Sequence, residues 1–80
     1  MSGDSFTLNC LPVGHKAKII RLTCTGAQRR RMMDLGFVQG AVITALACSP
    51  SGDPVAYLVR GAVIALRRED AQGITVAGCI

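Results

Sequence analysis

The sequence predicts a mainly β fold, a small barrel of short strands with one short α-helix and a short helical turn. Three observations lead there. The chain has 80 residues, enough for one domain. Its β-branched stretches are short and separated by turn residues, with 9 glycines and 3 prolines in all, the pattern of a short-stranded β domain. Only one segment, residues 27–35, is built from strong helix formers. At 50% hydrophobic residues, such a chain cannot safely leave strand edges open, and closing the sheet removes them.

The elements follow in order. Residues 1–7 read as a loose tail, polar apart from Phe6. Leu8, Leu11 and Val13 lead through Pro12 and Gly14 into a first strand, 17–24, with one wet face. Thr25 or Gly26 then caps the helix. Along it Gln28, Met32 and Leu35 share one face, with Met33 beside them. Gly36 is expected to end the helix in the left-handed conformation, with Phe37 giving the hydrophobic contact of a Schellman motif. After Gly40 a β-meander is expected, with strands at 41–48, 55–60 and 63–67. Its turns are Pro50-Ser51-Gly52-Asp53-Pro54, where prolines fix φ at both ends, and Gly61. Residues 68–72 form about one helical turn, Gly73 ends it, and 74–76 return as a last strand. The folded domain is therefore expected over 8–77, with 78–80 as a C-terminal end.

The formal net charge is +4. The cations are clustered: Lys16, Lys18 and Arg21; Arg29, Arg30 and Arg31; Arg60, Arg67 and Arg68. This balance favours an acidic partner, whether protein, nucleic acid or membrane surface. Arg29, Arg30 and Arg31 sit near the positive end of the helix dipole, which costs about 0.3–1 kcal/mol each at low salt. Helical geometry spreads them over about 200° of arc, so they cannot all serve one contact. Two readings stand side by side: contact with an acidic partner, or a solvated face relieved by Asp34.

Other chemistries find little support. Cys10, Cys24, Cys48 and Cys79 are scattered without a CxxC pair. Cys24 and Cys48 read as small core hydrophobes and Cys79 as an exposed thiol. The first residues lack the basic start and apolar run of a signal peptide, so a cytoplasmic location with reduced thiols is expected. His15 is the sole histidine, and the carboxylates show no ligand spacing, so no metal site and no cofactor are expected. Nucleophile elbow, Walker loop and GxGxxG are all absent, and adjacent Glu69 and Asp70 diverge on a helical turn, so the chain reads as no enzyme. The uncharged stretch 35–52 is too interrupted by turn residues to span a membrane. Charge alone would suit nucleic acid, but aromatics make up only 4% of the chain, too few for a stacking platform.

Three signatures resemble a known family. The run Arg29-Arg30-Arg31-Met32-Met33-Asp34-Leu35-Gly36-Phe37, followed by Gly40, is similar to the helix and exit turn of the FeoA family (ferrous iron transport protein A). Pro50-Ser51-Gly52-Asp53-Pro54 resembles that family's central turn. Arg60-Gly61, Ile64-Ala65-Leu66-Arg67, Asp70-Ala71 and Ile74 resemble its closing strands and helical turn. They occur in the right order over roughly 8–76. Gln39 stands where the family usually has proline and Ser49 where it usually has alanine.

The resemblance implies an SH3-like barrel. It also implies a non-enzymatic accessory role beside a membrane ferrous iron transporter with a cytosolic G-protein domain. On that footing Arg29, Arg30 and Arg31 are the expected partner-binding residues, with Arg60, Arg67 and Arg68 as a second patch. Leu35, Gly36, Phe37, Gly40, Pro50, Gly52, Asp53, Pro54 and Gly61 are the expected structural motif. Similar domains also follow the DNA-binding part of metal-dependent repressors, but no helix-turn-helix stands ahead of this one. The alternative reading is a small basic nucleic-acid-binding or regulatory barrel.

Overall fold

The computed structural model describes residues 5–79. Six strands, β1 (Ser5–Thr7), β2 (Lys16–Leu22), β3 (Val42–Cys48), β4 (Val55–Val59), β5 (Ala62–Leu66) and β6 (Ile74–Cys79), form one sheet in the order β1-β6-β2-β3-β4-β5. Every pairing is antiparallel. A 3-10 turn (Leu8–Cys10) follows β1, helix α1 (Gly26–Asp34) links β2 to β3, and the short α2 (Arg68–Ala71) links β5 to β6.

The mainly β architecture, the meander β3-β4-β5 and the two helical pieces are as the sequence predicts. Two boundaries differ. Ser5, Phe6 and Thr7 are not a tail: they pair with Ala77, Val76 and Thr75, and half-buried Phe6 packs on the core. One aromatic anchor and a ladder are enough to order so short an edge. Likewise β6 runs on to Cys79. The rest of the expected tail, residues 1–4, lies outside the described residues.

The sheet is also open rather than closed. Among the described residues β1 and β5 do not pair. The 3-10 turn packs instead against α2, and buried Tyr57 of β4 donates its hydroxyl to the Leu8 carbonyl at 3.4 Å.

The core follows the strand period of two. Ala17 and Ile19, Ile43 and Ala45, and Tyr57 and Val59 point inward, joined by Leu8, Leu66, Ile74 and Val76. Helix α1 differs from its expected face. Only Met32 is buried, while Met33 and Leu35 remain 41% and 37% exposed. A nine-residue helix lying on the sheet by one side chain needs a second anchor, and Phe37, fully buried just past its end, provides it. Each such burial is worth about 1.5–3 kcal/mol.

The helix exit is a Schellman motif in full. The Phe37 N–H donates to the Met32 carbonyl and the Gly36 N–H to the Met33 carbonyl, both at 3.0 Å, with Gly36 at φ +104°. The central turn closes by Ser49 N–H donating to the Pro54 carbonyl at 3.1 Å. Asp53 is more than a turn residue: its Oδ1 accepts the Arg68 N–H at 2.8 Å and so caps α2 from a distance. The β4–β5 hairpin turns through Arg60 at φ +52° and Gly61 at φ +83°, the two left-handed positions of a type I′ turn.

Of the cysteines, Cys24 packs half-buried on the core as expected and Cys48 does not: it and Cys10 are exposed. The side chain of Cys79, expected to be exposed, lies outside the described residues. Cys48 lies past the bulge between Ala45 and Ala47, where β3 leaves the core.

Burial, and after it the nearby Asp53 charge, raise the Tyr57 pKa above its ordinary 10.0. A raised folded-state pKa gives stability that is complete below pH 10 and lost as pH rises through the folded value. Thermal melts should therefore show stability flat up to about pH 10 and falling above it. Tyr57→Phe should reduce that alkaline slope, at a cost near neutrality of about 0.5–1.5 kcal/mol for the lost hydrogen bond. An unchanged slope in the variant would remove Tyr57 as its cause.

Candidate functional site

The three consecutive arginines leave α1 in different directions. Arg31 turns toward α2, where its guanidinium meets Asp70 at 3.5 Å. The same carboxylate accepts the Gln28 side-chain amide at 2.8 Å. Asp70, not Asp34, is thus the acid that relieves the run, and α1 and α2 are tethered through it. Arg30 projects outward beside Gly26 and Asp34. Arg29 shares the surface beside Gly26 and Asp34 with Arg30 and also borders β2.

There a shallow groove runs between α1, β2 and the loop after the helix, lined by Arg21, Leu22, Arg29, Met33, Val38 and Gln39. Two backbone bonds hold its loop wall against β2. The Gly40 N–H donates to the Ile19 carbonyl at 2.8 Å, and the Ile19 N–H to the Ala41 carbonyl at 2.9 Å.

The groove has an apolar floor, Leu22, Met33 and Val38, between two exposed guanidinium groups. The adjacent helix start adds positive potential: no side chain caps it and its first turn holds no acid. Such a surface suits a segment that offers an apolar side chain together with carboxylates.

The expected second patch does not form. Val59 pairs with Ala62 and Val55 with Leu66, so Arg60 lies at the hairpin tip while Arg67 and Arg68 lie at its base. Four strand steps, about 13 Å, separate the two ends. The Arg60 stem instead lies over Gly36, beside the exit of α1: a Cβ on Gly36 would meet its Cδ at 3.3 Å.

Sequence reasoning found Arg29 but missed Arg21, Leu22, Met33 and Val38 as its neighbours. No spacing rule joins positions 21, 29 and 38. Their meeting depends on how α1 folds back over β2. The structural motif residues Gly36, Phe37, Gly40, Gly52, Asp53 and Gly61 sit in the turns just described. Among the described residues no group of three or more His, Cys, Asp or Glu side chains comes together to hold a metal ion. No helix among them is long and apolar enough to cross a membrane.

Known proteins share the sequence and the fold of this chain. A fusion of Fe(2+) transport protein A with the Fe(2+) transporter FeoB, from Porphyromonas gingivalis, is 42% identical over 69 residues, which is 86% of this chain. The chain spans only 8% of that relative's length. The solution structure of FeoA from Chlorobium tepidum superposes with a TM-score of 0.87 at 37% identity, covering 94% of this chain and 71% of that one. The crystal structure of Stenotrophomonas maltophilia FeoA with zinc, described as an SH3 domain protein, gives 0.80 at 31% identity over 89% and 88% of the two chains. The SH3-like nature of the fold is thereby shown. With the FeoA domain model matching residues 6–78, the chain belongs to the FeoA family.

Proposed function

We propose that this chain is a non-enzymatic accessory of ferrous iron uptake that binds the cytosolic part of a membrane ferrous iron transporter through the groove between α1 and β2. The observation that carries the proposal is the Porphyromonas gingivalis fusion, in which a segment like this chain is covalently joined to FeoB. Covalent linkage holds two modules at high effective concentration, which is useful where they must meet. The basic, apolar-floored groove supplies a surface for that meeting. The cytoplasmic location expected from the sequence fits a partner on that side.

The nucleic-acid alternative has charge in its favour and little else. Phe37 and Tyr57 are 0% and 1% exposed and Phe6 is half-buried, which leaves no aromatic platform among the described residues.

The test is a pair of titrations of this chain, one against the isolated G-protein domain and one against single- and double-stranded oligonucleotides. Saturable binding to the transporter domain that weakens with salt, together with lower iron uptake when the chain is deleted, supports the reading. Tighter binding to oligonucleotides, with no binding to the transporter domain or the intact transporter, overturns it.

A further inference from the structure

Strand β5 is an edge, paired to β4 on one side and to nothing among the described residues on the other. Natural edges are usually blunted by charge, proline or a bulge. This one, Ala-Val-Ile-Ala-Leu, has no charge and no proline, and its ladder with β4 is regular throughout. The β3 and β4 surfaces beside it are also uncharged, with Val42, Leu46 and Leu58 exposed. Val63, at 65%, is the most exposed large hydrophobic residue of the described chain.

The hairpin register settles which backbone groups face outward. In a two-residue hairpin the closing pair, here Val59 and Ala62, is hydrogen-bonded, and bonded and non-bonded pairs then alternate. Ala62, Ile64 and Leu66 therefore bond to β4, while the N–H and C=O of Val63 and Ala65 point to the open side.

We infer that this edge pairs with β5 of a second copy, antiparallel about a two-fold axis through Ile64. The strand is complementary to itself in that register. Val63 lies opposite Ala65 of the second copy and Ala65 opposite its Val63, so the outward-facing bonding groups meet each other. On the outer face each pair sets a large side chain against a small one. Ile64 meets Ile64 as a non-bonded pair, the kind in which side chains approach most closely. Ile64 is opposite buried Tyr57 and is itself only half-buried at the rim of the core. Its counterpart covers that rim and joins the two cores.

Charge argues for a second copy over an acidic partner, because the edge offers no cation to recognise one. The cations lie at its ends, where Arg60 of one copy approaches Arg67 and Arg68 of the other. Self-association therefore strengthens as salt screens that repulsion, opposite in sign to binding at the arginine-lined groove.

Sedimentation of the whole chain from about 10 µM to about 1 mM, at low and high salt, reads the association. Amide exchange of Val63 and Ala65 reads the register without any variant. The expected result is a monomer–dimer equilibrium favoured by salt, with both amides protected in step with concentration. Val63→Lys, at an exposed position, should weaken it about tenfold or more, since symmetry introduces the change twice. A monomer throughout, or a dimer in which these two amides exchange freely, overturns the inference. So does protection that appears only when the transporter's cytosolic part is added, which would assign the edge to that partner.

Discussion

Gly36→Val should lower the unfolding free energy by about 2 kcal/mol or more, and so the melting temperature by roughly 8–16 °C for a domain of this size. The backbone at Gly36 has φ +104°, a conformation that β-branched residues resist. It cannot relax toward negative φ at small cost. The left-handed turn is what brings the Phe37 N–H to the Met32 carbonyl and the Gly36 N–H to the Met33 carbonyl. It also swings Phe37 into the core, where it is 0% exposed. A new Cβ would in addition meet the Arg60 Cδ at 3.3 Å and the Val59 Cγ2 at 3.6 Å. Gly40 is the comparison. Its φ is +88°, yet nothing lies within 4 Å of a Cβ placed there. Gly40→Ala should therefore show the backbone cost alone, about 1 kcal/mol. Urea unfolding of both variants measures the difference. A Gly36→Val protein as stable as Gly40→Ala would mean that the helix exit is not locked as described.

The helix exit was legible in the sequence because its cause is local. The run from Met32 to Phe37 carries the backbone signal at Gly36 and both ends of the Schellman bond within six residues. The strands of the meander were legible for the same reason: Val55, Tyr57 and Val59 alternate with Ala56 and Leu58, and the structure buries Tyr57 and Val59 while exposing Leu58. What the sequence concealed is non-local. Asp53 looked like a turn residue because its bond partner, the Arg68 N–H, lies 15 positions away. Asp34 looked like the counter-ion of the arginine run because it shares the helix, whereas Asp70 reaches the run from α2, 39 positions beyond Arg31. Residues 5–7 looked like a tail because the ladder that orders them belongs to the other end of the chain. The groove is non-local in the same sense. Arg29 was visible as a charge at an unfavourable helix position, but its pairing with Arg21 across an apolar floor required the fold.

That pairing divides the arginine run into parts with different expected losses. Arg21→Glu with Arg29→Glu should weaken binding to the transporter's cytosolic part about 100-fold, because two charge-assisted contacts at about 1.5 kcal/mol or more each are replaced by repulsion. The fold should survive. Both side chains are exposed, and a carboxylate at position 29 suits the start of α1 better than a guanidinium does. Arg67→Glu with Arg68→Glu makes the same change in net charge, from +4 to zero, but at the base of the β4–β5 hairpin. It should cost only the long-range share of the attraction, which salt already screens. Arg31→Glu behaves differently again. It places a carboxylate against Asp70 and should loosen the tether between α1 and α2, so its effect should appear in the melting temperature more than in binding. Arg30→Glu should affect neither strongly. Calorimetric titration of the four proteins at two salt concentrations, beside their melting curves, separates these roles. Equal losses in the two double variants would reduce the effect to net charge. A binding loss that follows Arg30 rather than Arg29 would move the contact from the groove to the outer face of the helix.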